Sequence, residues 1–553
     1  MLSSLTLRDR SRVEIGRATI ALSQDYRLVA WGEDLQQIEG ERTSSDGNDI
    51  VIGAASHSNL QFLRASLPWL TPKLIGTHLS VGFGDRIGLA TAGHIRAMRI
   101  AGQGVSPVFA QQSIREMSRT GRSPSQVIDD AAWGVFAEGW REGFGADADH
   151  VKSESDIDAC VAAGFTFYTI DPSEHVWSDA DVAKSGDVEA VVRSLPWRAL
   201  EDSEPNLLQR HWMPIEATMR AAAKYGRALA HVVRIDRYAR SRLGTGFELE
   251  VSVDETDTPT TPEQHEYLAV ELRRLGVRFI SLAPRFVGSF EKGVDYIGNV
   301  TDFEAQFAQH AEIAQRVGPY KLGLHSGSDK FSIYETAARL SGGFLHLKTS
   351  GTSWLEALRV VGTWDPDLLA DIYALALDGY AEERASYHVS ADSGDAPAVA
   401  NLDASRVRQI LHVTFSAVMR RYGPQLLQVL RAHRDDYEAE IESTLCAISP
   451  LSARELNDAS GSNNDLHDSV ASVQHLECSA CVREVKSMRQ ENLLVDGVIS
   501  HQAQDGRKGA DAVAAGIDLC LLSHEGDGVE GWRLLVPTDK DDPPTYAHDF
   551  GCL

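Results

Sequence analysis

Eight short apolar runs between residues 78 and 349, separated by amphipathic stretches, constrain what this chain can fold into more than any other feature of it. They are HLSVGFG (78–84), PVFAQQ (107–112), ADADHVK (146–152), FTFYTID (165–171), FELEVSVDE (247–255), VRFISLAPRF (277–286), YKLGLHSG (320–327) and GFLHLKT (343–349). Each has the length of a strand, and helical patterning occupies 113–141, 207–239, 261–275 and 302–316 between them. Strands that alternate with helices pair in parallel, because a helical crossover returns the chain to the same end of the sheet. The pattern therefore predicts an α/β fold, a (β/α)8 TIM-type barrel, with an open doubly wound sheet as the alternative.

The remaining segments attach to that frame. Residues 1–60 read as a small N-terminal cap and linker, from the runs VEIGRATIALS and YRLVAWGE and the polar GERTSSDGND. The barrel is expected over 61–450. The fourth connection is too long for a single crossover, which predicts a helical insertion at about 176–243. C-terminal helices are expected near 404–447, the first ending before Pro424 and the second starting there. Beyond them NDASGSNNDLHDS has linker composition, and 451–553 is read as linker and tail, partly disordered and without assignable chemistry.

Charge and composition exclude several classes of function. A formal net charge of −26 repels phosphate backbones and anionic membranes, so an anionic substrate has to be met by local Lys or Arg. No window approaches the roughly 20 apolar residues that span a bilayer, and MLSSLTLRDRSR lacks a leader pattern. The expectation is a cytoplasmic protein without nucleic-acid or membrane partners. Six cysteines in 553 residues make no disulfide framework. Only Cys478 and Cys481 have ligand-like spacing, and one such pair reads as incidental.

The candidate chemistry lies where the strands end. His150, His325 and His346 each close an apolar run, and in a parallel barrel strand ends converge on one mouth. Three imidazoles suffice for a divalent metal site with an open position, and they suit Zn, Mn, Ni or Co without distinguishing them. The alternative is that these histidines hydrogen-bond within loops; His175 is a fourth candidate. Carboxylates at Asp149, Asp171, Glu250, Asp254 and Glu291 share the same end, and a pair on opposite faces of a substrate can move protons. Asp171, followed by Pro172 and Ser173, reads better as a helix start. The turn HSGSDK offers Ser326, Asp329, Lys330 and backbone N–H groups to a phosphate or carboxylate; Lys348 in KTSGTS and Arg285 in APRFVG add cations. VGFGDRIGLA does not have dinucleotide-binding spacing.

Six ordered segments, GFGDRIGLATAGHIRA, GADADHVK, ELEVSVDETDTPT, LAPRFVGSFEKGVDY, LGLHSGSDKFSIY and HLKTSGTSWLEALR, together resemble the tagaturonate epimerase family over about residues 55–445. The resemblance implies a metal-dependent enzyme interconverting D-tagaturonate and D-fructuronate, with Asp149 and Glu291 as the proton-transfer pair. A looser likeness, to class II metal-dependent ketose aldolases, implies His150, His325 and His346 as metal ligands and Asp149 as the proton carrier. HSGSD stands here where those aldolases have HGGSG, which argues against a phosphorylated substrate.

The two uronates differ at the carbinol β to the ketone, whose C–H the ketone does not acidify. Retro-aldol cleavage, rotation of the aldehyde and re-formation of the bond would invert it; a proton relay through a shifted carbonyl is the alternative. Lys330, Lys348 or Arg285 would hold the substrate carboxylate. Two other functions fit the residues: an aldolase or lyase on an acidic ketose, and a non-catalytic sugar-acid or metal-binding protein. Oligomeric state is left open.

Overall fold

All eight expected strands form. They are β6 (Ser80–Gly84), β7 (Ser106–Ser113), β8 (Gly145–Val151), β9 (Phe167–Ile170), β10 (Glu248–Ser252), β11 (Ser281–Ala283), β12 (Lys321–Leu324) and β13 (Leu345–Thr349), preceded by five N-terminal strands. In this computed structural model the described residues are 5–45, 48–195, 213–446, 448, 520–526, 529–536 and 545–551. Strands β6 to β13 close a parallel barrel in chain order, β13 pairing β6 through His346↔Ser80 and Lys348↔Gly82. The open-sheet alternative is thereby excluded.

Alternation along each strand decides what faces where. Leu249 and Val251 of β10, Leu322 and Leu324 of β12, and Leu345 and Leu347 of β13 are all buried. Side chains alternate across a strand, so these point to the helices, and their neighbours Glu248, Glu250, Lys321, His346 and Lys348 turn into the barrel. Each buried leucine contributes about 1.5–3 kcal/mol, which offsets the cost of a polar interior. Helices Pro124–Glu138, Glu154–Ala163 and Pro262–Arg274 start at Ser123, Ser153 and Thr261, each closing a capping box.

Between β9 and β10 the chain makes helices Ser185–Arg193 and Ile215–Leu243, the second 29 residues long. Its Lys224 is fully buried and neutralised by Asp181 at 2.7 Å. The C-terminal helices are Ser405–Val413, Phe415–Ala432 and Arg434–Leu445. Pro424 does not divide them: it sits inside the second helix, and the first ends instead at Thr414, whose hydroxyl bonds the Ile410 carbonyl.

The N-terminal strands β1 (Val13–Ile15), β2 (Ala18–Leu22), β3 (Arg27–Gly32), β4 (Glu41–Ser45) and β5 (Asn48–Ala54) form an antiparallel sheet in the order β1-β2-β3-β5-β4. Just before it, Arg8 makes a two-pronged bond to buried Glu438 of the last helix, at 2.8 and 3.2 Å. Arg96 reaches the same carboxylate at 2.6 Å. Three further strands, Cys520–Gly526, Val529–Val536 and Thr545–Gly551, make an antiparallel sheet within the expected tail. Cys478, Cys481 and the expected linker lie outside the described residues. Among the described residues no helix is long and apolar enough to cross a membrane.

Candidate active site

Successive residues of a regular strand face opposite ways, yet Asp149 and His150 both line one cleft at the C-terminal mouth of the barrel. A register shift between Ala148 and Val151 on β8 makes this geometry, with His150 at φ 55°. Ser326 and Asp329, after β12, also have positive φ, at 50° and 62°. Among the described residues, three of the five non-glycine residues with positive φ thus cluster at this mouth, where strained backbone is worth holding only if it aims side chains.

Below the cleft an ionic floor crosses four strands. The Lys348 ammonium lies 2.7 Å from Asp147, 2.8 Å from Asp149 and 2.9 Å from Glu250, and donates to the Thr169 hydroxyl at 2.6 Å. Gly323 leaves room for Glu250: a Cβ there would stand 2.7 Å from its Oε2. Burial opposes charge on Lys348, but the three carboxylates outweigh it and raise its pKa well above the usual value. Burial pushes Asp147 up to about 6 despite Lys348. For Asp149 burial is again opposed, here by His150 and Lys348, and its carboxyl is held well below the ordinary range.

Two histidines stand over this floor. His325 Nε2 is 2.6 Å from Glu250 and its Nδ1 3.3 Å from Asp254. His150 Nδ1 is 2.8 Å from Asp149, and its Nε2 lies 3.7 Å from Asp254 and 3.8 Å from Glu255. Burial and Lys348 disfavour the His325 cation, but Asp254 and Glu250 lift it to about 9; burial likewise opposes the His150 cation, and Asp149 outweighs it and holds His150 well above its ordinary value. Asp149, His150 and His325 present ligand atoms all within 4.8 Å of one another, as do His150, Asp171 and Glu255. His150 Nε2 is buried without a hydrogen-bond partner, and the site concentrates negative charge, so a divalent cation fits the donor set chemically.

The expected residues divide. Asp149, His150, His325, Ser326 and Lys348 meet at the cleft. His346 does not join them. It pairs with Gly323 one level below His325, its Nδ1 2.8 Å from Ser80 and its ring beside Phe167. Strand β13 runs on to Thr349, so the residue level with His325 is Lys348. Lys330 caps the carbonyls of Glu291 at 2.8 Å, Ser328 at 3.0 Å and Val294 rather than facing the cleft. Asp329 meets Arg408 at 3.0 Å, and Arg285 lies off the lining. Glu291 turns its carboxylate toward Ser390 N at 2.7 Å and Gln409 at 2.6 Å, also off the lining.

Comparison with known proteins settles the kinship. A family model described as tagaturonate epimerase matches residues 13–447. The chain belongs to that family. A tagaturonate/fructuronate epimerase of Thermotoga maritima is 41% identical over 405 residues, which cover 69% of this chain and 81% of the relative. Crystal structures of fructuronate-tagaturonate epimerase from Cohnella laeviribosi, native and with one glycerol, superpose with a TM-score of 0.76 at 33% identity, covering 81% of this chain and 97% of theirs. As a member of the tagaturonate epimerase family the chain is an isomerase-class enzyme. An Escherichia coli aldolase also aligns, at a TM-score of 0.30 and 14% identity, and carries no argument.

For this epimerase family member, the sequence pattern missed part of the cleft. Arg86 lines it, bonded to Glu116 at 2.6 and 2.8 Å and stacked on Phe415. Arg115 lines it too, 2.7 Å from Glu255 and near the Tyr387 ring. Lys292, which donates to Ser326 at 2.6 Å, completes that wall. Arg86 and Lys292 were within reach of reading, since GFGDR and FEKG lie in the turns after β6 and β11. Arg115 and Tyr387 were not, because a helix and a distant C-terminal segment bring them in.

Proposed function

We propose that this protein interconverts D-tagaturonate and D-fructuronate by retro-aldol cleavage and re-addition, with a divalent cation at the mouth of the barrel. What carries the reading is the family match across the whole barrel, 13–447, together with one cleft that gathers Asp149, His150 and His325. The cation would be Zn²⁺, Mn²⁺, Ni²⁺ or Co²⁺, held by His150 and His325, which would each release a proton as it binds, with a carboxylate from Asp254. Once bound it would polarise the substrate ketone.

The chain's own residues supply the proton chemistry. Asp149 is ionised at neutral pH and accepts the proton of the β-hydroxyl. As that C–O bond becomes a carbonyl, the bond between the α and β carbons breaks and its electrons form the enediolate of the ketone fragment. The aldehyde turns its other face, the enediolate carbon attacks it, and the new alkoxide takes a proton from solvent on that face while Asp149 returns its own to solvent. Glu291 serves this second face. It stands next to Lys292 of the cleft wall, and exchanging Ser390 and Gln409 for substrate would bring it into play. Lys348 fixes Asp149 and Glu250 in place through its contacts at 2.8 and 2.9 Å.

A ¹³C NMR time course of the metal-loaded protein with D-tagaturonate, repeated after chelation, tests the proposal. D-Fructuronate resonances that stop with chelator support it. Accumulating smaller aldehydes would replace it with a lyase, and no change with any of the four metals would remove the substrate assignment.

A further inference from the structure

A sugar acid brings a carboxylate into a cleft already rich in carboxylates, so its binding end has to be set by whichever cation is uncommitted. Arg86 is bonded to Glu116, Arg115 to Glu255, and Lys348 to Asp147, Asp149 and Glu250. The histidines face Asp149, Asp254 and Glu250. Among the described residues lining the cleft, Lys292 is the one lysine or arginine without a carboxylate within ion-pair distance; its contact is the Ser326 hydroxyl at 2.6 Å. An ammonium turned from water toward a neutral hydroxyl is costly to hold, and an incoming anion repays that cost.

We infer that Lys292, with Ser326, is the receptor for the substrate carboxylate and sets the preference for uronates over neutral ketoses. The inference rests on the sugar-acid reading above and adds an orientation to it. The carboxylate end binds along the Lys292–Ser326 wall, and the ketone and β-carbinol are left facing Asp149. Reversed binding would carry the substrate carboxylate to the cation site beside Asp254 and leave the ketone and β-carbinol at the Lys292–Ser326 wall, out of reach of Asp149. The unusual backbone of Ser326, φ 50°, then has a purpose: it presents the hydroxyl that keeps the lysine in place until substrate arrives. Ser326 was a candidate from sequence. The cation beside it proves to be Lys292, because Lys330 and Lys348 are spent on carbonyls and on the floor.

The test uses the metal-loaded full chain and the variants K292M and K292R. With D-tagaturonate, K292M should raise KM by about 100-fold while kcat stays within a few-fold, and K292R should keep most of the affinity. Binding of D-gluconate and D-sorbitol, which differ only in a carboxylate against a hydroxymethyl group, is measured in parallel. Wild type should prefer gluconate, and K292M should bind the two alike. A purely structural lysine would show the opposite signature: K292M would lose melting temperature and kcat without loss of the gluconate preference, and that overturns the inference. A folded K292M whose KM moves less than about threefold overturns it as well. The two readings fail separately. If wild type does not turn over tagaturonate, the function falls, yet a gluconate preference lost in K292M still upholds the carboxylate receptor; equal binding of both probes by wild type removes it.

Discussion

His325 and His346 follow nearly identical text, LGLH and GFLH, on neighbouring strands, and their fates are opposite. At the mouth, Asp254 and Glu250 lift His325 to about 9 against burial and Lys348. One level down, burial holds His346 well below its ordinary value, its neighbour across β6 being the Ser80 hydroxyl. Lys321 shares that hydroxyl at 2.9 Å, and burial brings its own pKa down to about 8. The upper level favours a charged imidazole and the lower level a neutral one. Two residues of register make this difference, so a histidine's role in a barrel is set by its height as much as by its strand.

The largest expected effect comes from removing the proton carrier of the upper level. D149N should lower kcat by about 10³-fold, whereas H346Q should lower it by less than about tenfold, both by steady-state epimerisation rates. An H346Q as inactive as D149N would erase the distinction between levels. Next, K348M leaves Asp147 buried without its counter-ion and takes one of two from Asp149 and Glu250, and should cost about 3–5 kcal/mol in denaturant unfolding. If K348M were as stable as wild type, the floor would not be the ionic unit described. E291Q should fall between the first pair, at about 10²-fold in kcat, and a negligible change would take Glu291 out of the mechanism.

The smallest effect concerns histidines outside the cleft. Burial lowers His94 and His310 to about 4, so between roughly pH 6.5 and 4 the unfolded chain binds protons that the folded one refuses. Stability should therefore fall with pH across that window. Asp130, which burial raises to about 6 despite Arg122, takes up a proton in the folded state and works the other way. Burial also lowers His231, His265, His346 and His412 and raises Asp147, and with the lowered histidines in excess Tm should be lower at pH 5 than at pH 7 by about 5 °C. H94Q should flatten this dependence in part, and H346Q, whose imidazole burial also holds low, should do the same.

The barrel was legible because its strands announce themselves twice: by apolar residues facing the helices and by the helical stretches between. Asp149, His150 and His325 were legible for a related reason, since each ends or follows such a run. His346 lies one level lower than its run suggests because an apolar run does not say where its strand stops, and β13 continues to Thr349. Lys330 and Arg285 misled because a turn's composition does not reveal whether its cation faces a ligand or the turn's own carbonyls. The register shift that brings Asp149 and His150 to one face has no pattern in sequence. Nor does the pairing of Arg115 with Glu255, which depends on two crossovers meeting at the mouth.

The bond between Arg8 and Glu438 joins residues 430 positions apart. A ribosome releases the arginine early and its acceptor almost at the end of the barrel, so a nascent chain holds an unmatched guanidinium through nearly the whole of its synthesis. Truncation before the last helix leaves that guanidinium, 6% exposed in the finished fold, with Glu138 at 3.8 Å as its nearest buried substitute. The clasp thus ties the seating of the N-terminal cap to the presence of the last helix, two parts of the chain that sequence distance keeps apart until the fold closes.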